Sequence, residues 1–344
     1  MKGRVIVLGT MDGREVAALM VDGTLQDLLI APPDDAPGFA PGAILRGTVD
    51  RQMKGIGGVF IRLPDSTRGF LRDVGGLAPG QTLIVQVIGR PEGAKAIPVS
   101  RRLLFKSRLA IVTPDAPGLN ISRRIRDEEA RADLTRIAEA AMEGSPFGLI
   151  LRSAAEGADP DAVEADIAEM RALAQAVTAD LSGAPELLLD AATPHEEAWR
   201  DWTDPAPDTV EDGPDALADH GVPEAIAALL TPHVPLPGGA SMVIEPTRAL
   251  VAVDVNTGAD TSPAAGLKAN IAAARELPRQ LRLRGLGGQI VVDFAPVAKK
   301  DRATLDQQLK SAFRGEAAET VLAGWTPLGN YEIQRKRDRP PLAG

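Results

Sequence analysis

At 344 residues, 44% hydrophobic and 25% charged, the chain is long enough for two or three domains, each able to bury its own core. It has no run of about 18 apolar residues, and Met1-Lys2-Gly3-Arg4-Val5 leads straight into an alternating pattern. Neither a membrane span nor secretion is supported, and a soluble, cytoplasmic protein is expected. Zero Cys excludes disulfides, thiol catalysis, iron–sulfur clusters and thiolate zinc sites, which leaves any metal to oxygen ligands or to three His.

Residues 1–31 read as a β-meander: Arg4–Leu8, Glu15–Val21 and Leu25–Ile30 are short strand patterns separated by the turns Asp12-Gly13 and Asp22-Gly23. Ala31–Gly38, rich in Pro and Asp, reads as a linker. Strand patterns near 43–50, 58–62, 68–71 and 82–88, with Gly-rich turns between them, predict a small barrel. Strands over 108–113 and 148–152 then alternate with helical patterns over 128–142 and 159–181, the second opened by Asp159-Pro160 as N-cap and first-turn Pro.

The net charge of −9 argues against a nucleic-acid partner until it is resolved by region. Twelve Asp and Glu stand between Pro185 and Glu224 against Arg200 alone, a local balance of −11 that leaves the rest of the chain at +2. The stretch 193–222 within it reads as a linker or weakly ordered insertion. From Lys268 onward, 14 Lys and Arg face 8 Asp and Glu, and smaller basic clusters lie at Arg101-Arg102, Lys106 and Arg108, and at Arg123-Arg124 and Arg126. A basic working face beside one segregated acidic stretch is expected.

The clearest pattern follows. Strands over 240–245 and 249–255, a helix from about 262 to 284, a strand over 289–294 and a helix over 299–313 form a βαβ unit whose apolar runs predict buried parallel strands. Pro278 should kink or divide the first of these helices, and Gly285-Leu-Gly-Gly288 should stop it. Asp254 and Asp293 each end an apolar strand, at the carboxyl edge where open α/β sheets place their ligand crevice. Neighbouring strands lie about 4.8 Å apart, so both carboxylates could reach one hard cation such as Mg²⁺, with Asn256 on the same side of the chain. Strand-end capping is the alternative reading of these Asp residues. His195, His220 and His233 all lie near the acidic stretch, which disfavours a Ser-His-Asp triad, and no Walker sequence is present.

Val253-Asp-Val-Asn-Thr-Gly258, Arg279-Gln-Leu-Arg-Leu-Arg-Gly-Leu-Gly-Gly288 and Ile290-Val-Val-Asp-Phe294 resemble the catalytic core of the ribonuclease E/G family. Ile121-Ser-Arg-Arg-Ile125 and Gly148-Leu-Ile-Leu-Arg-Ser153 extend the likeness over nearly the whole chain except about 190–232. The resemblance implies an α+β multidomain fold. Residues 1–38 and 185–238 would form an RNase-H-like subdomain, the second part reduced and acidic; 39–100 an S1-like (OB) RNA-binding β-barrel; 101–184 a 5′-sensor region; and 239–344 a DNase-I-like α/β catalytic domain. It further implies a Mg²⁺-dependent endoribonuclease of RNA processing or decay, acting on single-stranded RNA and leaving 5′-phosphate and 3′-hydroxyl ends. Asp254 and Asp293 would be the metal ligands and Asn256 their catalytic neighbour. Phe60, Phe70, Lys95, Arg123 and Arg124 would contact RNA, and Ser107, Ile111, Arg152 and Ser153 would sense the RNA 5′ phosphate.

Four departures qualify the resemblance. The chain has no Cys pair for the family's intersubunit zinc, so a zinc-linked tetramer is not expected while a homodimer is left open. It ends at Gly344, where a small C-terminal domain would follow. Ser107 stands where the family has a glycine, and Ala272 where an acidic residue is common. The competing reading is an RNA-binding relative with weak or no nuclease activity.

Overall fold

The computed structural model describes residues 3–33, 36, 38–53, 57–72, 76–91, 95–262 and 264–342. The chain divides into two compact units, Met1–Asp22 with Leu29–Pro214 and Gly23–Leu28 with Asp215–Gly344. The architecture is mixed α+β.

The first unit begins with β1 (Arg4–Met11) and β2 (Arg14–Val21), paired antiparallel, and the chain then runs through β3 (Thr24–Ile30). Asp12 and Asp22 adopt positive φ (52° and 50°), the conformation that Asp-Gly hairpin turns require. Strands β4 (Ile44–Met53), β5 (Gly58–Arg62), β6 (Arg68–Arg72), β7 (Thr82–Val87) and β8 (Ile97–Ser100) follow. The order β4-β5-β6-β8-β7 closes through a β4–β7 pairing, giving a five-stranded barrel around Leu45, Val59, Ile61, Leu71, Val85 and Val99. Strand β8 is the one the turn pattern did not single out, and without it the barrel could not close.

Next come β9 (Phe105–Lys106), β10 (Ala110–Thr113), β11 (Leu119–Ile121), α1 (Glu128–Ala141), β12 (Gly148–Leu151) and α2 (Pro160–Ala179). The sheet runs β11-β12-β10-β9, and α1 and α2 bury Leu134, Ala138, Val163 and Ile167 in the same core as Leu149 and Leu151. Asp159 caps α2 as the sequence predicts, and Asp127 caps α1, each accepting a backbone N–H. Strand β13 (Glu186–Leu189) pairs with β4.

The stretch read as a weakly ordered linker is structured. It holds α3 (Pro194–Asp201) and β14 (Thr209–Glu211), which adds parallel to β1. Thr193 and Glu196 form a reciprocal capping box with Pro194 in the first turn, so the start of α3 is locally encoded. Ala198 and Trp202 are buried with Ile6, Ala17 and Leu19 of β1 and β2. Acidic composition misled here because it cannot show that Ala198 and Trp202, four residues apart, share one helical face.

The second unit contains α4 (Ala216–Asp219), α5 (Val222–Leu229), β15 (His233–Pro235), β16 (Ser241–Pro246), β17 (Val251–Asn256), α6 (Ala265–Leu283) and β18 (Gly288–Asp293). It closes with α7 (Arg302–Phe313), β19 (Thr320–Trp325) and β20 (Tyr331–Arg335). The sheet order is β15-β16-β17-β18-β20-β19, and only β17 and β18 run parallel to each other. The βαβ unit is therefore present, yet its strands are not buried on both faces. Val251, Val253 and Val255 are buried against α6 and α7, whereas Asp254 and Asn256 are exposed, so the sheet is covered on one side only. Nor does Pro278 divide α6, which continues to Leu283; Leu277, Pro278 and Leu281 are buried, and packing overrides the local cost. The helix ends as expected: Gly285 takes φ 62°, and the Leu286 N–H donates to the Leu281 carbonyl (2.8 Å) in a Schellman closure.

Candidate active site

On β17 and β18, Asp254 is the direct register partner of Asp293 at the carboxyl ends of the two parallel strands. Both side chains are exposed on the face of the sheet opposite the core. The Asn256 amide, two residues on and thus on the same face, donates to Asp254 Oδ2 (2.7 Å), which orients that carboxylate. Gly258 follows at φ 63°, and a Cβ there would stand 2.1 Å from the Gly239 carbonyl oxygen, so the turn after Asn256 admits only glycine. Among the described residues no ion pair reaches either carboxylate, and no group of three or more His, Cys, Asp and Glu comes together. Two carboxylates with open solvent beyond them fit a hard cation that keeps several waters and takes its remaining oxygens from a substrate phosphate.

A residue that sequence reasoning missed supports this edge. Asn270 of α6 is fully buried; its amide donates to the Ala295 carbonyl (2.9 Å) and its oxygen accepts from the Ala295 N–H (3.0 Å). Ala295 lies two residues past Asp293, so Asn270 fixes the backbone that carries the second carboxylate. The signal was present in the sequence: a polar residue within the apolar stripe of Ala269, Ala273, Ala274 and Leu277. A concavity of this unit lies elsewhere, lined by Leu229, Val234, Ile271, Arg275 and Arg279 among others, and includes none of the three site residues.

In the barrel, Phe60 and Phe70 are directly paired across β5 and β6, with ring centroids 5.6 Å apart and planes tilted by 59°. Each is half-buried, while Val59, Ile61 and Leu71 on the alternate face form the core. The two rings thus line the outer face. Arg62, Arg68 and Arg72 alternate onto that same face and are exposed, giving an aromatic pair bordered by guanidinium groups. Those three arginines were not singled out from sequence, although period-two alternation around each Phe marks them. Lys95 is exposed in the loop before β8.

Of Ser107, Ile111, Arg152 and Ser153, the structure joins Ser107 and Arg152 directly. Arg152 Nη1 donates to the Ser107 carbonyl (2.7 Å), and Ile111 is half-buried on β10. The Ser107 hydroxyl is turned inward, toward the Ala110 carbonyl (3.0 Å) and the Asp166 carboxylate of α2. Arg152 and Ser153 meet acids from the end of α3: Arg152 Nη2 pairs with Asp201 (2.5 Å), and the Ser153 hydroxyl bonds Asp204. Arg124 joins the same place, 3.1 Å from Asp204, while Arg123 is exposed nearby in sequence. Burial works to raise the Asp201 carboxyl, but Arg200 and Arg152 outweigh it and bring its pKa below the usual carboxylate range.

Among the described residues no helix is long and apolar enough to cross a membrane. Residues 105–212 and 208–338 match the model of the Ribonuclease E/G family. Among curated proteins the chain is 30% identical to "Ribonuclease E" of a Nostoc species, over 94% of the chain and 54% of that protein. It is 29% identical to "Ribonuclease E" of a Synechocystis species, over 94% of the chain and 55% of the relative, and 28% identical to "Ribonuclease G" of Salmonella typhimurium, over 87% and 73%. The chain spans about half the length of the first two relatives.

Proposed function

The chain belongs to the ribonuclease E/G family, and we propose that it is a Mg²⁺-dependent endoribonuclease of RNA processing or decay that cuts single-stranded RNA. The observation that carries this reading is the in-register pair Asp254 and Asp293 with the Asn256 amide on the first carboxylate. Side-by-side carboxylates without a cation are unfavourable in a sheet, and a site that supplies the missing charge from outside explains why they stand together.

Asp254 and Asp293 would hold the ion, and Asn256 keeps the Asp254 carboxylate in one orientation by occupying Oδ2. A bound Mg²⁺ would supply an activated water and charge stabilisation at the scissile phosphate, giving 5′-phosphate and 3′-hydroxyl ends. Phe60 and Phe70 offer stacking surfaces for unpaired bases, and Arg62, Arg68 and Arg72 with Lys95 attract the backbone. Stacking selects single strands, since a duplex keeps its base faces covered. Arg123 and Arg124 add positive charge. Ser107, Ile111, Arg152 and Ser153 form the place where a terminal phosphate of the RNA would be registered.

In this reading the barrel of residues 39–100 is the S1-like (OB) module, 101–184 the 5′-sensor region, 1–38 with 185–238 the RNase-H-like part and 239–344 the DNase-I-like catalytic domain. A cytoplasmic location accords with such a role. The test is incubation of the purified protein with an A/U-rich, 5′-monophosphorylated single-stranded RNA with and without Mg²⁺, followed by end-group analysis. Internal cuts that need Mg²⁺ and leave 5′-phosphates are expected. An RNA that is bound and remains intact at all Mg²⁺ concentrations would reduce the protein to an RNA-binding relative.

A further inference from the structure

The cleft beside α6 in the second unit is lined in part by a buried guanidinium that has no acid. Arg284 is 7% exposed; its Nη1 donates to the carbonyls of Leu229 (2.6 Å) and Thr231 (2.7 Å) past the end of α5, and its Nε to Gln280 Oε1 (3.1 Å). Among the described residues no carboxylate pairs with it, and its Nη2 makes no hydrogen bond. Burial lowers its pKa with no acid acting against that shift. A buried cation of this kind costs stability until an anion meets it.

Lys268, Ala272, Glu276, Gln280 and Arg284 recur every four residues, so one stripe of α6 and its C-cap forms a wall of the cleft. Glu276, the one acid among the described residues lining it, is already used: it accepts from Arg279 Nε (2.9 Å) and Gln280 Nε2 (2.8 Å). Against it stand Lys268, Arg275, Arg279 and Arg284. Lys268 Nζ lies 3.9 Å from Asp260, outside the lining, and Arg275 Nε donates to the neutral Gln308 (3.0 Å), so neither is neutralised within the cleft. The opposite walls are aliphatic, from Leu25, Leu229, Val234 and Leu236, and no Phe, Tyr or Trp is among the lining residues. The cleft encloses about 830 Å³, the size of a small-ligand site.

These features select an anion with an aliphatic body. A nucleotide or a sugar asks for aromatic stacking or for several free neutral hydrogen-bonding groups. The lining has no aromatic ring but His233, and the Gln280 amide is committed at both ends. We propose that the cleft binds an aliphatic carboxylate, its head group accepting from Arg284 Nη2 and its chain lying along Leu229, Val234 and Ile271. Ala272, one turn from both Lys268 and Glu276, keeps the middle of the stripe free of bulk and of negative charge. The cleft includes neither Asp254 nor Asp293, and the proposal does not rest on the reading of the chain as an endoribonuclease.

The probe is octanoate, titrated by calorimetry into the full chain without RNA, with butanoate, octan-1-ol and adenosine monophosphate as comparisons. Octanoate should bind about thirtyfold or more tighter than butanoate, since each buried CH₂ is worth about threefold to fourfold in affinity. It should bind about tenfold tighter than octan-1-ol, which has the chain without the charge. Octanoate should also raise the unfolding midpoint. Ala272→Asp should weaken octanoate by about tenfold, whereas Ala272→Asn, of nearly the same size, should stay within about twofold of wild type. Should Ala272→Asp fail to fold, Arg275→Glu on the exposed side of α6 reverses a charge of the same cleft and should weaken octanoate by about threefold. Affinity independent of chain length, octan-1-ol binding as tightly as octanoate, or adenosine monophosphate binding more tightly would each overturn the proposal. So would equal affinity of the two Ala272 variants or, where Arg275→Glu takes their place, affinity unchanged from wild type.

Discussion

The β17–β18 edge and the end of α3 handle charge in opposite ways. At the edge, Asp254 and Asp293 stand in register with, among the described residues, only the Asn256 amide beside them, while near the end of α3 Arg152, Arg200 and Arg124 are met by Asp201 and Asp204 of the same unit. An unmatched pair of like charges costs stability that packing elsewhere must offset, whereas a matched cluster on the surface is close to neutral. The first arrangement awaits a ligand of opposite sign; the second is already neutralised within the fold.

The contrast can be broken most sharply at the carboxylate pair. Asp254→Asn or Asp293→Asn should lower cleavage by roughly a thousandfold or more, the rate equivalent of several kcal/mol of charge stabilisation, with RNA affinity nearly unchanged. Folding stability in denaturant should be equal or slightly higher, since a like charge is removed. Variants that cleave at the wild-type rate in gel assays would return both residues to strand-end caps.

Asn270→Ala should act on the same edge through stability. It leaves the Ala295 N–H and carbonyl without their buried partner, at a cost of about 2–4 kcal/mol read from the denaturant midpoint. Cleavage should fall as well, because the backbone beside Asp293 loses its clamp. An unchanged midpoint would show that water replaces the amide.

A smaller effect is expected on the barrel. Phe60→Ala and Phe70→Ala should each weaken single-strand RNA binding by about 1–3 kcal/mol with little change in folding, because both rings lie outside the barrel core. Lys95→Ala should reduce the slope of affinity against salt by about one phosphate contact. Titrations by fluorescence anisotropy measure both quantities. Unaltered affinity in the two Phe variants would assign the rings to packing.

The smallest effect concerns pH. The folded pKa of Asp201 is lowered, so its contribution to stability is complete above the usual carboxylate range and is lost as pH falls through the lower folded value. The stability difference between wild type and Asp201→Asn should therefore hold from neutral pH down to that range and shrink below it. A difference that vanishes already near neutral pH would mean that the two arginines do not hold this carboxylate.

How much of this was legible in the sequence depended on the range of the interaction. The turns at Asp12 and Asp22, the cap Asp159 and the stop at Gly285 are set within a few residues, and each stands where the pattern put it. The register of Asp254 with Asp293 followed from two similar strands joined by one helix. Long-range features escaped. That one face of the sheet is bare depends on which strands flank β17 and β18, and the hairpin β19–β20 supplies one edge from a region without a distinctive pattern. The acidic stretch looked disordered because composition counts charges and cannot see that Asp201 and Asp204 find Arg152 and the Ser153 hydroxyl, 49 and 51 positions away. Asn270 was hidden for the same reason, its partner lying 25 residues on.

The central claim is that Asp254 and Asp293 hold the cation on which cleavage depends. Single-turnover cleavage of saturating RNA as a function of Mg²⁺ concentration, in wild type and Asp254→Asn side by side, tests it most directly. A wild-type rate that rises from zero to a plateau, with a variant that stays near zero or needs far more Mg²⁺, is the result the pair of carboxylates predicts. Superimposable curves, or a wild-type rate unaffected by removing Mg²⁺, would contradict it.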